Sequence, residues 1–248
     1  MGFGRDRAFW VVLGGLALVY AIAVVAGGRV GSVGRQLSEF GITIVALLLA
    51  ITVHEAAHAW SANALGDPTA RLAGRVTLNP LAHLDPLGSL MMVLTALTGI
   101  GIGWGKPTPV SPWRLRYGAR LGNGIVALAG PLSNILLAAV LGVVLRFAPV
   151  GPYWAAQTLS LVVLVNLYIA MFNLLPIPPL DGHSVLLGLL SLTRQRWAWD
   201  VSQFLMRLEA QGPLLLIGLI VLTQFLRLPL LGWAVGVPAG ALYRLIVG

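Results

Sequence analysis

Apolar positions run through this chain in long blocks, and polar positions collect in the gaps between them. The blocks lie at about 8–27, 38–64, 87–103, 121–147, 157–176 and 212–247. A helix needs about 20 apolar residues to cross a bilayer core, and most blocks reach that length. The pattern predicts an all-α polytopic membrane bundle of five to six transmembrane helices. It forms one membrane-embedded domain over 1–248, with its core at 38–190, an extra N-terminal span within 1–30 and C-terminal spans within 212–248.

The first block follows Arg5 and Arg7, as a signal peptide would. Its apolar run from Ala8 to Ala26 exceeds a usual signal h-region of about 7–15 residues, so it reads as a retained span. The last block carries Arg227 and Pro229 in its middle. It reads as two short spans, or as one span followed by an interfacial helix. Two stretches, 67–80 and 101–112, mix Gly and Pro with β-branched residues and read as short β/extended, re-entrant segments near the active site.

Between those stretches lies 87–103, and its path decides the topology. If it re-enters without crossing, Asp181 falls on the same side as a histidine pair at 54 and 58. If it crosses, Asp181 falls on the opposite side. In the non-crossing version Arg5, Arg7, Arg71, Arg75, Lys106, Arg114, Arg116, Arg120, Arg194, Arg196, Arg207 and Arg244 face the cytoplasm, with the last block as two spans. Only Arg29, Arg35, Arg146 and Arg227 fall outside. That bias matches the positive-inside rule, so 87–103 is expected to be re-entrant or interfacial.

Composition sharpens this picture. Apolar residues make up 58% of the chain and charged residues 10%, against about 25% charged in soluble domains. The net charge of +8 reflects loops at a cytoplasmic membrane face. No basic run interleaved with aromatics points to nucleic acid, so the lipid bilayer is the expected surrounding partner. There is no cysteine, which excludes disulfides, thiolate ligands and a cysteine nucleophile.

Within block 38–64 stands His54-Glu55-Ala56-Ala57-His58. Positions i and i+4 share a helix face, so both imidazoles can reach one metal ion. Ionisable groups at membrane depth are costly and mark function. A zinc hydrolase site inside a membrane accounts for both facts. An open catalytic zinc site takes a third protein ligand, and the candidates are Asp67, Asp85, Asp181, His83, His183 and Asp200. Asp181 follows the proline-rich Asn173-Leu174-Leu175-Pro176-Ile177-Pro178-Pro179-Leu180. On spacing alone it is equally a ligand or the cap of a helix over 182–193.

His54-Glu55-Ala56-Ala57-His58, Ala129-Gly130-Pro131-Leu132-Ser133-Asn134 and Asn173-Leu174-Leu175-Pro176 with Leu180-Asp181-Gly182 together resemble the site-2 protease family of intramembrane zinc metalloproteases. The likeness runs from about 38 to 190. Gly66-Asp67-Pro68-Thr69 and the stretch Leu78 to Pro86 resemble its compact bacterial branch without PDZ or CBS domains. The resemblance implies one Zn2+ held by His54, His58 and Asp181, with Glu55 as general base. It implies transmembrane protein substrates and a multi-pass protein of the bacterial cytoplasmic membrane, with its site toward the cytoplasm. His183 stands where the family often has a second glycine.

Other residues keep two readings. Asn173 is a candidate oxyanion donor or a partner for helix backbone at the proline break. Asn134 lines the site or serves helix packing. The stretches containing Gly74, Val76 and Pro107 receive an unwound substrate as an added strand, or merely cover the site. His83 reads as a loop histidine and His183 as a group beside the ligands. Arg114, Arg116 and Arg120 read as interfacial anchors. The alternatives to an endopeptidase are a zinc transporter or zinc-binding membrane protein, and a silent scaffold for transmembrane segments. The transporter would need ligands reachable from both faces, and the scaffold would need no general base. The sequence leaves open whether an upstream protease first trims the same substrate.

Overall fold

A computed structural model describes residues 30–98, 103–148 and 151–248. The expected span 8–27 lies outside the described residues. Nine helices are described: α1 Val30–Ala64, α2 Thr69–Leu72, α3 Pro86–Thr98, α4 Ala119–Phe147, α5 Tyr153–Asn173, α6 Asp181–Leu190, α7 Arg196–Glu209, α8 Gly212–Phe225 and α9 Val237–Val247. A π-helical turn, Gly232–Gly236, leads into α9.

Three stretches are long and apolar enough to cross a membrane: Glu39–Ala64 of α1, α4 and α5. The pair α7 and α8, bent by 82°, makes a fourth if it is one broken span. The all-α bundle is therefore present, and the protein is an integral membrane protein. Its spanning helices bury histidine and asparagine while Val45, Leu136, Val140 and Val143 lie exposed. Polar inside and apolar outside is the arrangement a bilayer requires.

The described part of 87–103 falls short of a span-length helix. Its helix, α3, has 13 residues, about 20 Å of length against a hydrocarbon core of about 30 Å. The residues described from Gly103 onward lie back against it. Leu84 and Gly105 form an antiparallel bridge, Gly103 packs on Met92, and Gly88 packs on Trp104. The residues flanking the segment, Leu84 and Gly105, therefore lie side by side. Glycine at 88 and 103 permits the contact, because a Cβ at either would collide with the opposite arm.

Among the described residues there is no sheet, and the Leu84–Gly105 pairing is an isolated bridge. The stretch 68–80 needs one correction: Thr69–Leu72 is a short helix and not extended, while 75–79 is irregular loop. The carboxylate of Asp67 accepts hydrogen bonds from the amide and hydroxyl of Thr69, which starts the short α2. Local Asp and Thr chemistry outweighed the β-branched composition.

Helix α1 ends in a Schellman motif. Gly66 adopts φ 101°, its N–H donates to Asn63 O at 3.1 Å, and Asp67 N–H donates to Ala62 O at 3.0 Å. Helix α4 runs antiparallel to α1, since His54 meets Asn134 while His58 meets Val126. Helix α6 crosses α4 where Gly124 and Gly188 touch, a small-residue contact that lets backbones approach. Ala138, Val163, Leu167 and Ala239 tie α4, α5 and α9 into one buried cluster.

Candidate active site

His54 and His58 occupy one face of α1, both buried. Their rings meet edge to face with centroids 4.6 Å apart. Each ring is fixed through Nδ1. His58 Nδ1 lies 2.8 Å from Val126 O, and His54 Nδ1 lies 2.7 Å from Asn134 Oδ1. Both partners are acceptors, so each Nδ1 carries the proton and each Nε2 keeps a lone pair.

The Ala129-Gly130-Pro131 sequence explains how α4 comes this close. A Cβ on Gly130 would stand 2.5 Å from His58 Nε2 and 2.7 Å from His54 Nε2. Only glycine leaves room for both imidazoles. Pro131, inside the helix, removes an i to i−4 hydrogen bond. The carbonyl that receives His58 is in the turn just before it.

Asp181 completes the cluster. Its Oδ2 is 3.0 Å from His54 Nε2 and 3.4 Å from His58 Nε2. The two separations are close to the ~3.3 Å edge expected between ligands at tetrahedral zinc distances. Asp181 is the first residue of α6, and the cap position, Leu180, has no side-chain bond to the helix. The carboxylate is turned to the histidines instead. Its Oδ2 is buried without a hydrogen-bond donor. Two imidazole lone pairs against a carboxylate oxygen are stabilised by a cation between them. The three groups could hold one metal ion, and their chemistry fits zinc. Gly182 is required beside Asp181, because a Cβ there would collide with the carbonyls of Leu174 and Leu175.

The other candidate ligands have other work. Asp67 is fully buried and binds Thr69 and the Ser111 amide. Burial alone would raise its carboxyl pKa. The Ser111 and Thr69 amides, the Thr69 hydroxyl and the Arg114 charge reverse this and hold it below the ordinary carboxylate value. Asp85 accepts from Gly88 N–H at 2.8 Å and caps α3. His83 is a fully buried loop histidine bonded to Thr77 O. Asp200 is exposed on α7. His183 is buried, and neither ring nitrogen has a hydrogen-bond partner. Burial pushes its pKa down, with Glu209 opposing.

Glu55 is half-buried beside the pair. Its Oε2 accepts from Thr108 N–H at 3.0 Å and from the Thr108 hydroxyl at 2.8 Å. Asn134 binds His54 directly and is fully buried. Asn173 donates to Ile169 O at 2.9 Å within its own helix. Gly74 and Val76 lie exposed on the turn after α2, and no hydrogen bond among the described residues joins them to the cluster. Pro107 is exposed next to Thr108. Arg120 stacks over Trp199 at 4.9 Å. The sequence reading does not single out Asn166 or Thr108. Asn166 stands as a polar residue inside an apolar helix, which is a usable signal. Thr108, between two prolines in a loop, offers none.

Comparison with known proteins agrees with this geometry. Residues 152–211 match the model of peptidase family M50. The chain is 39% identical over 158 residues to the candidate zinc metalloprotease YwhC of Bacillus subtilis, covering 60% of this chain and 69% of that one. It is 33% identical over 234 residues to the candidate zinc metalloprotease Rip2 of Mycobacterium tuberculosis, covering 92% of this chain and 83% of that one. No solved structure gives a significant match. The family's metal is Zn2+, for which the His54, His58 and Asp181 cluster provides the donors. A three-donor site in a membrane bundle, matched to two such relatives over more than two thirds of their length, identifies this chain as a zinc metallopeptidase belonging to peptidase family M50, the site-2 protease family.

Proposed function

We propose that the protein is an intramembrane zinc endopeptidase that cleaves transmembrane segments of membrane-protein substrates. The observation that carries this reading is the position of the donor cluster. His54, His58 and Asp181 meet at a buried point in a helix of membrane-spanning length, with Glu55 beside them. A hydrolytic site at that depth serves a substrate that is itself in the bilayer.

His54, His58 and Asp181 would hold the zinc. When bound, zinc supplies Lewis acidity to water and to the scissile carbonyl. Glu55 takes the water proton and returns it to the leaving amine. Its Oε1 is the oxygen for this task, because no hydrogen bond among the described residues reaches it while Oε2 is held by Thr108. Asn173 spends one amide proton on Ile169 O, and its second N–H is the candidate oxyanion donor. A substrate helix hides its carbonyls in its own hydrogen bonds, so it unwinds locally before attack. The site faces the cytoplasmic side of a bacterial cytoplasmic membrane, a placement supported by the basic residues that flank it. Earlier trimming of the same substrate by another protease is compatible with this scheme.

The test is a comparison of membrane-protein fragments in cells producing the wild type or Glu55→Gln. New termini inside apolar spans are expected only with the wild type. Equal termini in both, or cuts confined to soluble loops, would overturn the reading.

A further inference from the structure

The segment 103–111 crosses directly over the metal-binding helix. It is fixed along its length. Lys106 N–H donates to His83 O at 2.7 Å, and Ser111 N–H donates to Asp67 Oδ2 at 2.6 Å. The buried guanidinium of Arg75 binds the carbonyls of Ala82 and Lys106. Gly105 lies so close to α1 that a Cβ would stand 2.7 Å from Ile51 and 3.3 Å from Glu55. Lys106 and Thr108 each precede a proline, which confines both to extended backbone. Pro107 and Pro109 fix their own φ near −65°. The result is a stiff strap with Thr108 at its centre.

Thr108 is the only strap residue whose side chain hydrogen-bonds α1 among the described residues. Its amide and hydroxyl both donate to Glu55 Oε2, at 3.0 and 2.8 Å. The hydroxyl also lies 3.1 Å from Glu55 O. It has one proton, and the charged carboxylate is the stronger and nearer acceptor. A glutamate has several rotatable bonds, and ordering them against thermal motion carries an entropy cost. Two donors on one oxygen remove that freedom before substrate arrives.

We propose that Thr108 is the positioning residue for the general base. It tethers Oε2 of Glu55 to the strap so that Oε1 is held toward the reacting water. This rests on the reading of Glu55 as the base. The strap is thus part of the catalytic apparatus as well as a cover, and its inward donors are already committed. Its prolines carry no N–H, so a substrate strand laid against the other edge finds no amide at 107 or 109.

The test has two arms, both on the full-length zinc-loaded protein. The first is amide hydrogen exchange of the peptide spanning 104–111, which the two prolines simplify. Glu55→Ala is expected to speed exchange of the Thr108 amide by about tenfold or more. Unchanged exchange would overturn the tether. The second arm compares Thr108→Val and Thr108→Ser for cleavage of a single-span membrane protein. Thr108→Val is expected to lower kcat by about tenfold with KM and zinc content unchanged. Thr108→Ser, which keeps the hydroxyl, is expected to recover to within about threefold. Full kcat in Thr108→Val would overturn the proposal and leave the peptidase reading intact. So would loss of zinc together with activity, or a serine variant no better than valine. A wild type that cleaves no membrane protein would overturn both.

Discussion

His54 and Asn134 share a hydrogen bond of 2.7 Å between Nδ1 and Oδ1, and the direction of that bond is set two residues further away. Asn166 Nδ2 donates to Val162 O at 2.8 Å, so its Oδ1 faces Asn134. Asn134 Nδ2 donates to that oxygen at 2.8 Å and to Ala50 O at 2.9 Å. Two backbone carbonyls, which can only accept, therefore orient both amides. The Asn134 oxygen is left for His54, which must present Nδ1–H and keep Nε2 bare. A buried chain of acceptors chooses the tautomer that binds a metal.

Breaking this chain should weaken metal binding before it weakens folding. Asn134→Leu is expected to lower zinc affinity by about 10–100-fold, the usual effect of losing a partner behind a metal-bound histidine. Asn166→Leu should lower it less, because Asn134 keeps its bond to Ala50 O. Competition against a chelator of known affinity measures both. Equal affinity in wild type and Asn134→Leu would show that the ring is held by other means.

Gly130→Ala tests the close approach of α4. One methyl group would stand 2.5 Å from His58 and 2.7 Å from His54, and the helix itself would gain propensity from alanine. The expected outcome is a protein that stays helical but loses most of its zinc. Circular dichroism and metal analysis of the same sample separate the two effects. Full zinc occupancy would mean that α4 can retreat without harm.

Part of this site is legible in the chain itself. His54, Glu55 and His58 announce themselves because their spacing is local, four residues on one helix. Asp181 does not, since its place depends on how α5 ends and α6 turns back over Gly182. Spacing alone leaves it divided between ligand and cap, and the fold brings its carboxylate to the histidine pair. The long apolar blocks foretell α1, α4 and α5. The stretch 68–80 misled because its β-branched residues speak for strand while one carboxylate, Asp67, makes a helical turn. Helix α7 is hard to read from the sequence, since its charged residues Arg196, Asp200, Arg207 and Glu209 break any long apolar run. Thr108 is invisible in sequence because its role comes from a contact with Glu55, 53 positions away.

Asp67 gives a pH-dependent prediction. Its folded pKa is held below the ordinary value of 3.8 by the Ser111 and Thr69 donors, against the effect of burial. A depressed carboxyl pKa contributes stability that is fully present above the unfolded value. That contribution fades as pH falls below about 3.8 toward the folded pKa. Asp67→Asn should therefore be less stable than wild type at neutral pH, by about 1–3 kcal/mol for a buried donor set left poorly matched. The gap should narrow in acid below the ordinary carboxylate range. Thermal unfolding of both proteins at pH 7 and pH 3 reads the difference, and a gap that widens in acid would contradict the assignment.

The hairpin around α3 makes the last prediction, and the absence of cysteine makes it clean. Leu87 and Trp104 lie on opposite arms, 58% and 40% exposed, close to the Leu84–Gly105 bridge. If the segment re-enters, a single cysteine at either position is reached by an impermeant maleimide from the same face of a sealed vesicle. Leu87→Cys and Trp104→Cys should each label from one side only, and it should be the same side. A position within 119–122, at the start of α4, should share that side because the chain reaches it from the strap without another apolar block. Labelling from opposite faces would require a crossing between 87 and 104. A crossing would separate the Leu84–Gly105 bridge by a membrane thickness, and Thr108 could no longer reach Glu55. The contact at 3.0 Å between those two residues therefore depends on the same-side outcome, as does the meeting of Asp181 with the histidine pair.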